Sequence, residues 1–468
     1  MIAPWARSLP GAGPGPWSGV IPGVAAGGRG GMAQDAGEDG RHRPERAALG
    51  RAAPALRRRR WLGPGLMTGA ADDDPSGILT YAQAGAQLGF ALCWLMPLLY
   101  PLMAVTQEIS ARIGRVTGQG LAGTIGQYYS RPLLRTIVLV VVFANTINLG
   151  SDLGAMGDVA ALLTGGPRRL YAAGFGLLCA GLQIGLAYER YARLMRWAAL
   201  TLLAYFATAF AVDVPWASVA YHTIIPHWPR QAGGLLLLAA VAGTTISPYN
   251  FFWQAALEAE EAGRGARAGR QRAAVRDLRR LRVDTYAGMA LANLLAFAVM
   301  VTAGATLHVW HAGAIPTAAA AAAALRPLAG PLAGLLFSAG ILASGFLAVP
   351  MLAGSAAIAL AETLGFPHGF DRRPAEAPAF YATLAALTLA GTLLSLVPGI
   401  DPIRALTASA ILNGVAVVPV LILMMRLATR PEVMGPLALP RAMALVGWLT
   451  TAIMTAVGLA AIAALFLS

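Results

Sequence analysis

Three consecutive carboxylates stand in the middle of an otherwise apolar segment, residues 62–86: Asp72, Asp73 and Asp74. Placing one charged carboxylate at the centre of a bilayer costs at least about 2.5–3.5 kcal/mol. The segment contains no Lys or Arg that could offset three such charges, so the group calls for a bound cation. Pro75 follows directly. Because proline lacks an N–H and clashes with the preceding turn, we expect the helix to unwind there.

A second apolar segment, residues 233–258, is interrupted in the same way. The sequence at its middle is Gly243-Thr244-Thr245-Ile246-Ser247-Pro248-Tyr249-Asn250. Unwound backbone is tolerated at membrane depth only where it is buried in protein or lines a cavity, and there its freed carbonyls serve as ion ligands. A proline kink without function is common in one helix, but it is less plausible in two matched helices. We therefore predict an ion site where the two breaks meet.

The elements that must position these breaks are apolar segments long enough to cross a membrane. Hydrophobic residues make up 57% of the 468-residue chain and charged residues only 12%, which excludes a soluble enzyme or a disordered scaffold. Eleven segments of sufficient length follow Trp61. They span residues 62–86, 89–111, 136–164, 170–188, 195–212, 233–258, 284–307, 334–360, 378–397, 405–425 and 442–467. The breaks lie in the first and the sixth, five segments apart, so we predict an all-α membrane protein with about 11 transmembrane helices in a LeuT-type 5+5 inverted repeat.

Arginine placement predicts the orientation in the membrane. All 35 basic residues are Arg, against 22 acidic residues. Residues 1–60 are rich in Gly, Pro and Arg and are expected to form a disordered basic cytoplasmic tail before the transmembrane domain, residues 61–467. Most other Arg residues lie in loops on the side of that tail, which places the N-terminus inside and the C-terminus outside. This distribution favours the lipid bilayer of a bacterial inner membrane over nucleic acid as the partner of the basic residues. The sequence does not decide whether translation starts at Met1 or at Met32.

Several short motifs resemble the NRAMP family of divalent metal transporters. They are Gly63-Pro64-Gly65, Asp74-Pro75-Ser76-Gly77, Gln83-Ala84-Gly85-Ala86, Ala111-Arg112-Ile113-Gly114 and Val116-Thr117-Gly118. In addition, Ser247-Pro248-Tyr249-Asn250 falls where the family has Met-Pro-His-Asn. The resemblance covers residues 61–467. It implies a secondary transporter of divalent metal cations that works by alternating access, with the cation as substrate, no resident cofactor and no enzyme activity.

The resemblance also implies a ligand set, from which this chain departs. In the family, the Asp and Asn of an Asp-Pro-Gly-Asn break, a Met sulfur and a backbone carbonyl hold the metal. Asp74 and Thr244 match the Asp and the carbonyl, whereas Gly77 and Ser247 stand in place of the Asn and the Met. The candidate metal residues are therefore Asp74, Gly77, Thr244 and Ser247, with Asp73 and Tyr249 beside them, and the helix-break residues are Pro75, Pro248 and Asn250.

The loss of the sulfur ligand bears on which ion is carried. A thioether favours softer transition-metal ions, whereas an all-oxygen site suits Mg2+, Mn2+ or Ca2+. Three interpretations stay open. The chain is a transporter of Mn2+/Fe2+-type ions, an uncoupled Mg2+ transporter of the NRAMP-related branch, or a metal-sensing membrane protein that does not transport. We expect a monomer or a weak oligomer.

Proton coupling would depend on other residues. Tyr249 and Gln254 replace two histidines of the family, and neither side chain relays a proton near neutral pH. Asp152 matches an acidic residue that the family uses in proton transfer, and Asp72 is a second candidate for a proton pathway. We therefore expect protons to be at most weakly coupled partners of metal uptake.

The remaining polar residues have ordinary structural interpretations. Glu108 and Glu258 fall at the inner ends of their segments and are expected to be solvated. Asn145 and Asn148 share a helix face with Asp152 and are expected to form interhelical hydrogen bonds or a polar lane beside the ion site. Among the histidines, His308 is expected to be a surface residue of an outer loop.

Overall fold

The computed structural model describes residues 63–185, 200–229, 232–265, 271–310, 317–370, 372–399 and 402–467. Within these residues the chain forms sixteen α-helices and one 3-10 turn, Gly435–Leu437, and no β-strand. The helices are α1 Pro64–Asp72, α2 Pro75–Leu88, α3 Leu95–Thr117, α4 Leu121–Tyr128, α5 Arg131–Thr164, α6 Arg168–Gly185, α7 Leu203–Ala211, α8 Trp216–Ile224, α9 Ala232–Thr245, α10 Pro248–Gly265, α11 Gln271–Trp310, α12 Ala318–Leu364, α13 Pro378–Leu396, α14 Pro402–Ala428, α15 Pro431–Met434 and α16 Arg441–Leu467. All of them belong to the unit Trp61–Ser468, and the predicted tail, residues 1–60, lies outside the described residues.

Both predicted helix breaks are present. Helix α1 ends at Asp72 and α2 begins at Pro75, while α9 ends at Thr245 and α10 begins at Pro248. In each case a proline occupies the first position of the new helix, where its missing N–H would have had no partner in any case. The two prolines therefore end one helix and start the next, as the sequence predicts.

Seven of the described helical stretches are long and apolar enough to span a membrane. They are Arg131–Thr164, Gly233–Gly263, Leu278–Val309, Gly334–Leu364, Pro378–Leu396, Ala405–Ala428 and Arg441–Ala464. Each of the four other predicted segments also contains helix, namely α1 with α2, α3, α6 and α7. The count of eleven spans stays a prediction.

The first broken helix packs backbone to backbone against α11. A Cβ atom on Gly69 would collide with the backbone of Gly288, and one on Gly288 would collide with the carbonyl of Gly65. Residues without side chains thus let the two helices approach closely. At the start of α1, the carboxylate of Asp284 on α11 accepts the backbone N–H groups of Gly63 (3.1 Å) and Gly65 (2.7 Å). These are donors that a helix cannot satisfy by itself.

The second broken helix is held by α3, α14 and α16. On the α3 side, Gln107 Nε2 donates to the carbonyl of Asn250 (2.9 Å), and Ser110 Oγ donates to that of Phe251 (2.7 Å). Helix α9 packs against α14 and α16. Side chains of α3 therefore fix the first turn of α10, the element that follows the second break.

The prediction that Glu108 and Glu258 are solvated helix ends is wrong. Glu108 is fully buried, and its Oε1 accepts Arg112 Nη2 (2.7 Å) and Arg282 Nε (2.9 Å). Glu258 is also buried, with its Oε2 3.6 Å from Arg115 Nη1. Because a buried carboxylate without water needs a cationic partner, these ion pairs join α3, α10 and α11 at one end of the bundle.

Candidate functional site

Asp74 lies in the first break and acts as the N-cap of α2. Its Oδ1 accepts the Gly77 N–H (2.5 Å) and the Ser76 hydroxyl (2.7 Å), and the residue is fully buried. An aspartate before a proline at the first helical position is a favoured way to start a helix. The positive end of the α2 dipole stabilises negative charge on Asp74.

A second carboxylate, Asp152 of α5, reaches the same helix end. Its Oδ1 accepts the backbone N–H of Ser76 (3.0 Å), while its Oδ2 has no hydrogen-bond partner among the described residues. Asp152 is fully buried. The structure therefore places Asp152 and Asp74 side by side at the start of α2, although the two are far apart in the sequence.

Thr244 and Ser247 lie at the end of α9, in the second break. In a continuous helix the Thr244 carbonyl would accept the N–H of residue 248, but Pro248 has none. The Ser247 hydroxyl donates instead to the carbonyls of Gly243 (2.8 Å) and Thr244 (3.0 Å). Since a carbonyl oxygen has two lone pairs, Thr244 keeps acceptor capacity. The negative end of the α9 dipole adds to the attraction for a cation.

The two breaks face each other. A Cβ atom added to Gly77 would lie 3.0 Å from Thr244 Oγ1 and 3.1 Å from Asp74 Oδ1, so position 77 borders both residues. The Tyr81 hydroxyl is 3.0 Å from Thr245 Oγ1 and joins α2 to α9. Position 77 is thus closely packed between the Asp74 carboxylate and the Thr244 hydroxyl, and a side chain there would have to displace one of them.

Tyr249 and Asn250, at the start of α10, reach back to the first break. The Tyr249 hydroxyl lies 3.4 Å from Asp74 Oδ2 and 3.4 Å from the Asp72 carbonyl. Asn250 Nδ2 donates to Asp72 Oδ1. All four residues are buried. The two broken helices are therefore bonded to each other through Asp72 as well as through Asp74.

The three consecutive aspartates do not act as one carboxylate cage. Asp72 bonds to Asn250, Asp74 caps α2, and Asp73 Oδ2 has no partner in the described part of the chain. The described residues contain no group of three or more His, Cys, Asp and Glu side chains placed to hold a metal ion. A cation between the breaks would thus meet the Asp74 carboxylate, with that of Asp152 beside it, together with neutral oxygens such as those of Thr244.

Sequence reasoning missed one candidate ligand and left another pair of residues undecided. The carbonyl of Ala71 loses its helical partner because residue 75 is proline, and the same spacing rule that identifies Thr244 would have found it. Asn145 donates from Nδ2 to the Leu352 carbonyl (2.9 Å), which is an interhelical bond as expected. Asn148 has both side-chain polar atoms without a partner among the described residues, although it is fully buried.

The fold and the site together define a class of protein: an all-α membrane protein of the LeuT type, in which two interrupted helices meet at a buried carboxylate. Two solved structures share this fold. A manganese transporter of Eremococcus coleocola matches with a TM-score of 0.68 and 18% identity, covering 85% of both chains. MhsT in complex with L-phenylalanine matches with a TM-score of 0.53 and 13% identity, covering 86% of this chain and 97% of that one. The predicted fold class is confirmed.

Sequence comparison is more specific. The model of the family described as natural resistance-associated macrophage protein-like, Nramp, matches residues 65–464. A curated relative of Verminephrobacter eiseniae, the divalent metal cation transporter MntH, is 30% identical over 327 residues, which are 65% of this chain and 70% of the relative. The chain belongs to the Nramp family, as the motifs around the two breaks suggested.

Proposed function

We propose that the chain is a secondary transporter of divalent metal cations that works by alternating access. One observation carries the proposal: the buried carboxylate of Asp74 and Thr244, at the carbonyl end of α9, lie on either side of Gly77. Among the described residues Asp74 has no Lys or Arg partner. An unpaired buried carboxylate opposite the negative end of a helix is an arrangement that a mobile cation completes.

The relatives support a divalent metal as the substrate. The curated relative is named a divalent metal cation transporter, and one structure with the same fold is a manganese transporter. The site offers a carboxylate, hydroxyls and backbone carbonyls. These hard oxygen donors suit Mn2+ and Mg2+ better than a soft ion.

An uncoupled Mg2+ transporter is the second candidate, because the two positions that differ from the family's ligand set supply few ligand atoms. Ser247 presents a hydroxyl that is already bonded to two carbonyls, and Gly77 presents no side chain. Mg2+ keeps several of its waters, and few protein ligands leave coordination positions for them. A site for Fe2+, in contrast, gains from nitrogen or sulfur ligands, which the described residues around Asp74 do not offer.

Alternating access would move the half-helices that carry the site. Helix α1 is attached to α11 through Asp284, and α10 is attached to α3 through Gln107 and Ser110. The bonds of Tyr249 and Asn250 to the first break would transmit movement between these two units. Asp152, with one free oxygen beside Asp74, is the residue that we assign to any proton exchange.

The setting of this transporter follows from the sequence. We place it in a bacterial inner membrane with the N-terminus in the cytoplasm and the C-terminus outside, because Arg is concentrated in the loops on the side of the tail. Transport of a cation through a buried site needs neither an enzyme active site nor a resident cofactor. A monomer is sufficient, because both breaks come from one chain.

The test is metal uptake into proteoliposomes by the parent protein and by Asp74→Asn, with Mn2+ and Mg2+ as substrates and a pH-sensitive dye inside. Asparagine is as good an N-cap as aspartate, so α2 should still start correctly while the charge is lost. We expect uptake by the variant to fall to the level of empty liposomes, and the parent to show little H+ influx.

Asp213→Asn is the matched control, because Asp213 is exposed on the connection between α7 and α8. It should transport normally. Normal uptake by Asp74→Asn would refute the site, and metal binding without flux in the parent protein would favour the sensing interpretation. A strong metal-driven H+ influx that is lost in Asp152→Asn would refute weak coupling.

A further inference from the structure

Two histidines lie together on the connection between α7 and α9, outside the site between the helix breaks. His222 belongs to the last turn of α8, and His227 follows five residues later. Their ring centroids are 4.6 Å apart with an interplanar angle of 38°. Both side chains are half-buried, so they are packed in place and still reach solvent.

Each ring makes a hydrogen bond through Nδ1 that leaves Nε2 available to a metal ion. His222 Nδ1 lies 2.8 Å from the Ser218 carbonyl, and His227 Nδ1 lies 2.8 Å from the Ile225 carbonyl. A carbonyl can only accept, so Nδ1 is the donor on both rings, and Nε2 is the nitrogen that presents a lone pair when the ring is neutral. In the described part of the chain neither Nε2 has a hydrogen-bond partner. Metal-bound histidines characteristically use one ring nitrogen for the ion and the other for such a bond.

The spacing of the rings fits one shared ion. With a metal–nitrogen distance of about 2.0–2.1 Å and a ring radius of about 1.15 Å, two imidazoles that bind one ion at about 90–110° have centroids about 4.5–5.3 Å apart. The observed 4.6 Å lies in this range. Two unrelated surface histidines need not share either this spacing or the same tautomer.

The packing around the pair keeps both rings in position before any ion arrives. The Tyr221 ring lies 5.3 Å from that of His222 and 5.6 Å from that of His227. Phe90, between α2 and α3, contacts His222 with centroids 6.3 Å apart. Trp94 Nε1 donates to the His227 carbonyl (3.3 Å), which anchors this connection on α3. Rings held in place lose little conformational freedom on binding.

We propose that His222 and His227 form a binding site for a borderline transition-metal cation such as Zn2+, separate from the Asp74 site. Imidazole nitrogen selects ions of this class, whereas Mg2+ and Ca2+ prefer oxygen. Water molecules complete the coordination, because two protein ligands leave positions open. His308, which was expected on the surface of an outer loop, lies instead in the last turn of α11, half-buried, with its Nδ1 2.9 Å from the Ala86 carbonyl, and it is not needed for the pair. The inference does not depend on the transport proposal.

The experiment measures Zn2+ binding to the full chain in lipid nanodiscs, by calorimetry at pH 7.5, in an Asp74→Asn background that lacks the carboxylate of the other site. His222→Gln and His227→Gln are introduced separately, and His368→Gln, on the connection between α12 and α13, is the control. We expect each of the first two variants to weaken Zn2+ binding by at least about tenfold, the lower limit of losses seen even for outer-shell partners. The control should bind as the background protein does.

A second readout makes the outcome independent of any folding defect in the variants. Cu2+ bound to the Asp74→Asn protein should show the electron paramagnetic resonance splitting of two equivalent nitrogens, and each His222 or His227 variant should show one nitrogen fewer. A spectrum without nitrogen splitting overturns the proposal, as does Zn2+ binding that is unchanged in either folded variant. Asp74→Asn losing transport but keeping Zn2+ would separate the two sites.

Discussion

Asp284 offers a direct test of how the first half-helix is held, since its carboxylate caps α1 from α11. The change is Asp284→Asn. The carboxylate accepts two backbone N–H groups, from Gly63 and Gly65, one at each oxygen. An asparagine has a single acceptor oxygen, so one bond is lost and its NH2 group then faces a backbone N–H. The helix dipole also loses a favourable negative charge at its positive end.

The size of the effect follows from these two bonds. A hydrogen bond to a charged group contributes about 1.5–3 kcal/mol, and a neutral one about 0.5–1.5 kcal/mol. The variant loses one charge-assisted hydrogen bond, and the other becomes a neutral one. Because both bonds are only partly buried, we take the lower part of the resulting range of lost stability, about 2 kcal/mol. At 1.4 kcal/mol for each factor of ten, this is about a 30-fold increase in the local opening of α1.

The assay is hydrogen–deuterium exchange of peptides that cover α1, compared with those of α5 in the same protein. Exchange in α1 should accelerate by about 30-fold while α5 changes little, because opening is local. Asp213→Asn, an exposed aspartate on another connection, should leave α1 unchanged. If α1 exchanges at the parent rate in Asp284→Asn, the carboxylate does not hold this helix and the reasoning is wrong.

Two further results are expected. Ser247→Met should raise the affinity for Cd2+ relative to Mn2+, because it places a soft donor at the end of α9. Calorimetry with both ions measures the ratio of the affinities, and an unchanged ratio would mean that position 247 does not face the ion. On the connection between α12 and α13, the hydrogen bond to Glu362 raises the pKa of His368 above its usual value. A raised histidine pKa contributes stability at acidic pH that is lost as the pH rises through the folded-state pKa. His368→Gln should therefore lower the melting temperature more at pH 5.5 than at pH 8.5, and an equal loss at both would show that the ion pair contributes nothing.

Local rules predicted the parts of this fold that depend on neighbouring residues. Pro75 and Pro248 identify both breaks, because the effect of proline reaches only one turn along its own helix. Asp74 could be named as a candidate ligand because it directly precedes the first of these breaks, whereas its role as the N-cap of α2 came from the structure. The same rule could have identified the carbonyl of Ala71 as a candidate ligand, because Pro75 lacks the N–H that this carbonyl would accept in a continuous helix.

Contacts between distant segments could not be predicted in this way. Glu108 looks like an ordinary helix end, and its partner Arg282 is 174 residues away. The bond from Ser76 to Asp152 joins residues 76 apart, and resemblance to a family brought Asp152 into view without showing that it reaches the start of α2. Such pairings depend on how helices pack, which a single sequence does not contain.

Asp74 is both the N-cap of α2 and the proposed cation ligand, so the amide that it caps should report by NMR and infrared spectroscopy whether a cation occupies the site. The carboxylate that would bind the cation also accepts the N–H of Gly77 at 2.5 Å. A divalent ion withdraws electron density from that carboxylate, so the bond to the amide must weaken whenever the ion is present. The amide of Gly77, labelled with 15N, should shift its proton resonance upfield as cation is added. Its infrared stretch should move to higher frequency, so that filling of the site can be followed without a radioactive tracer or a transport assay.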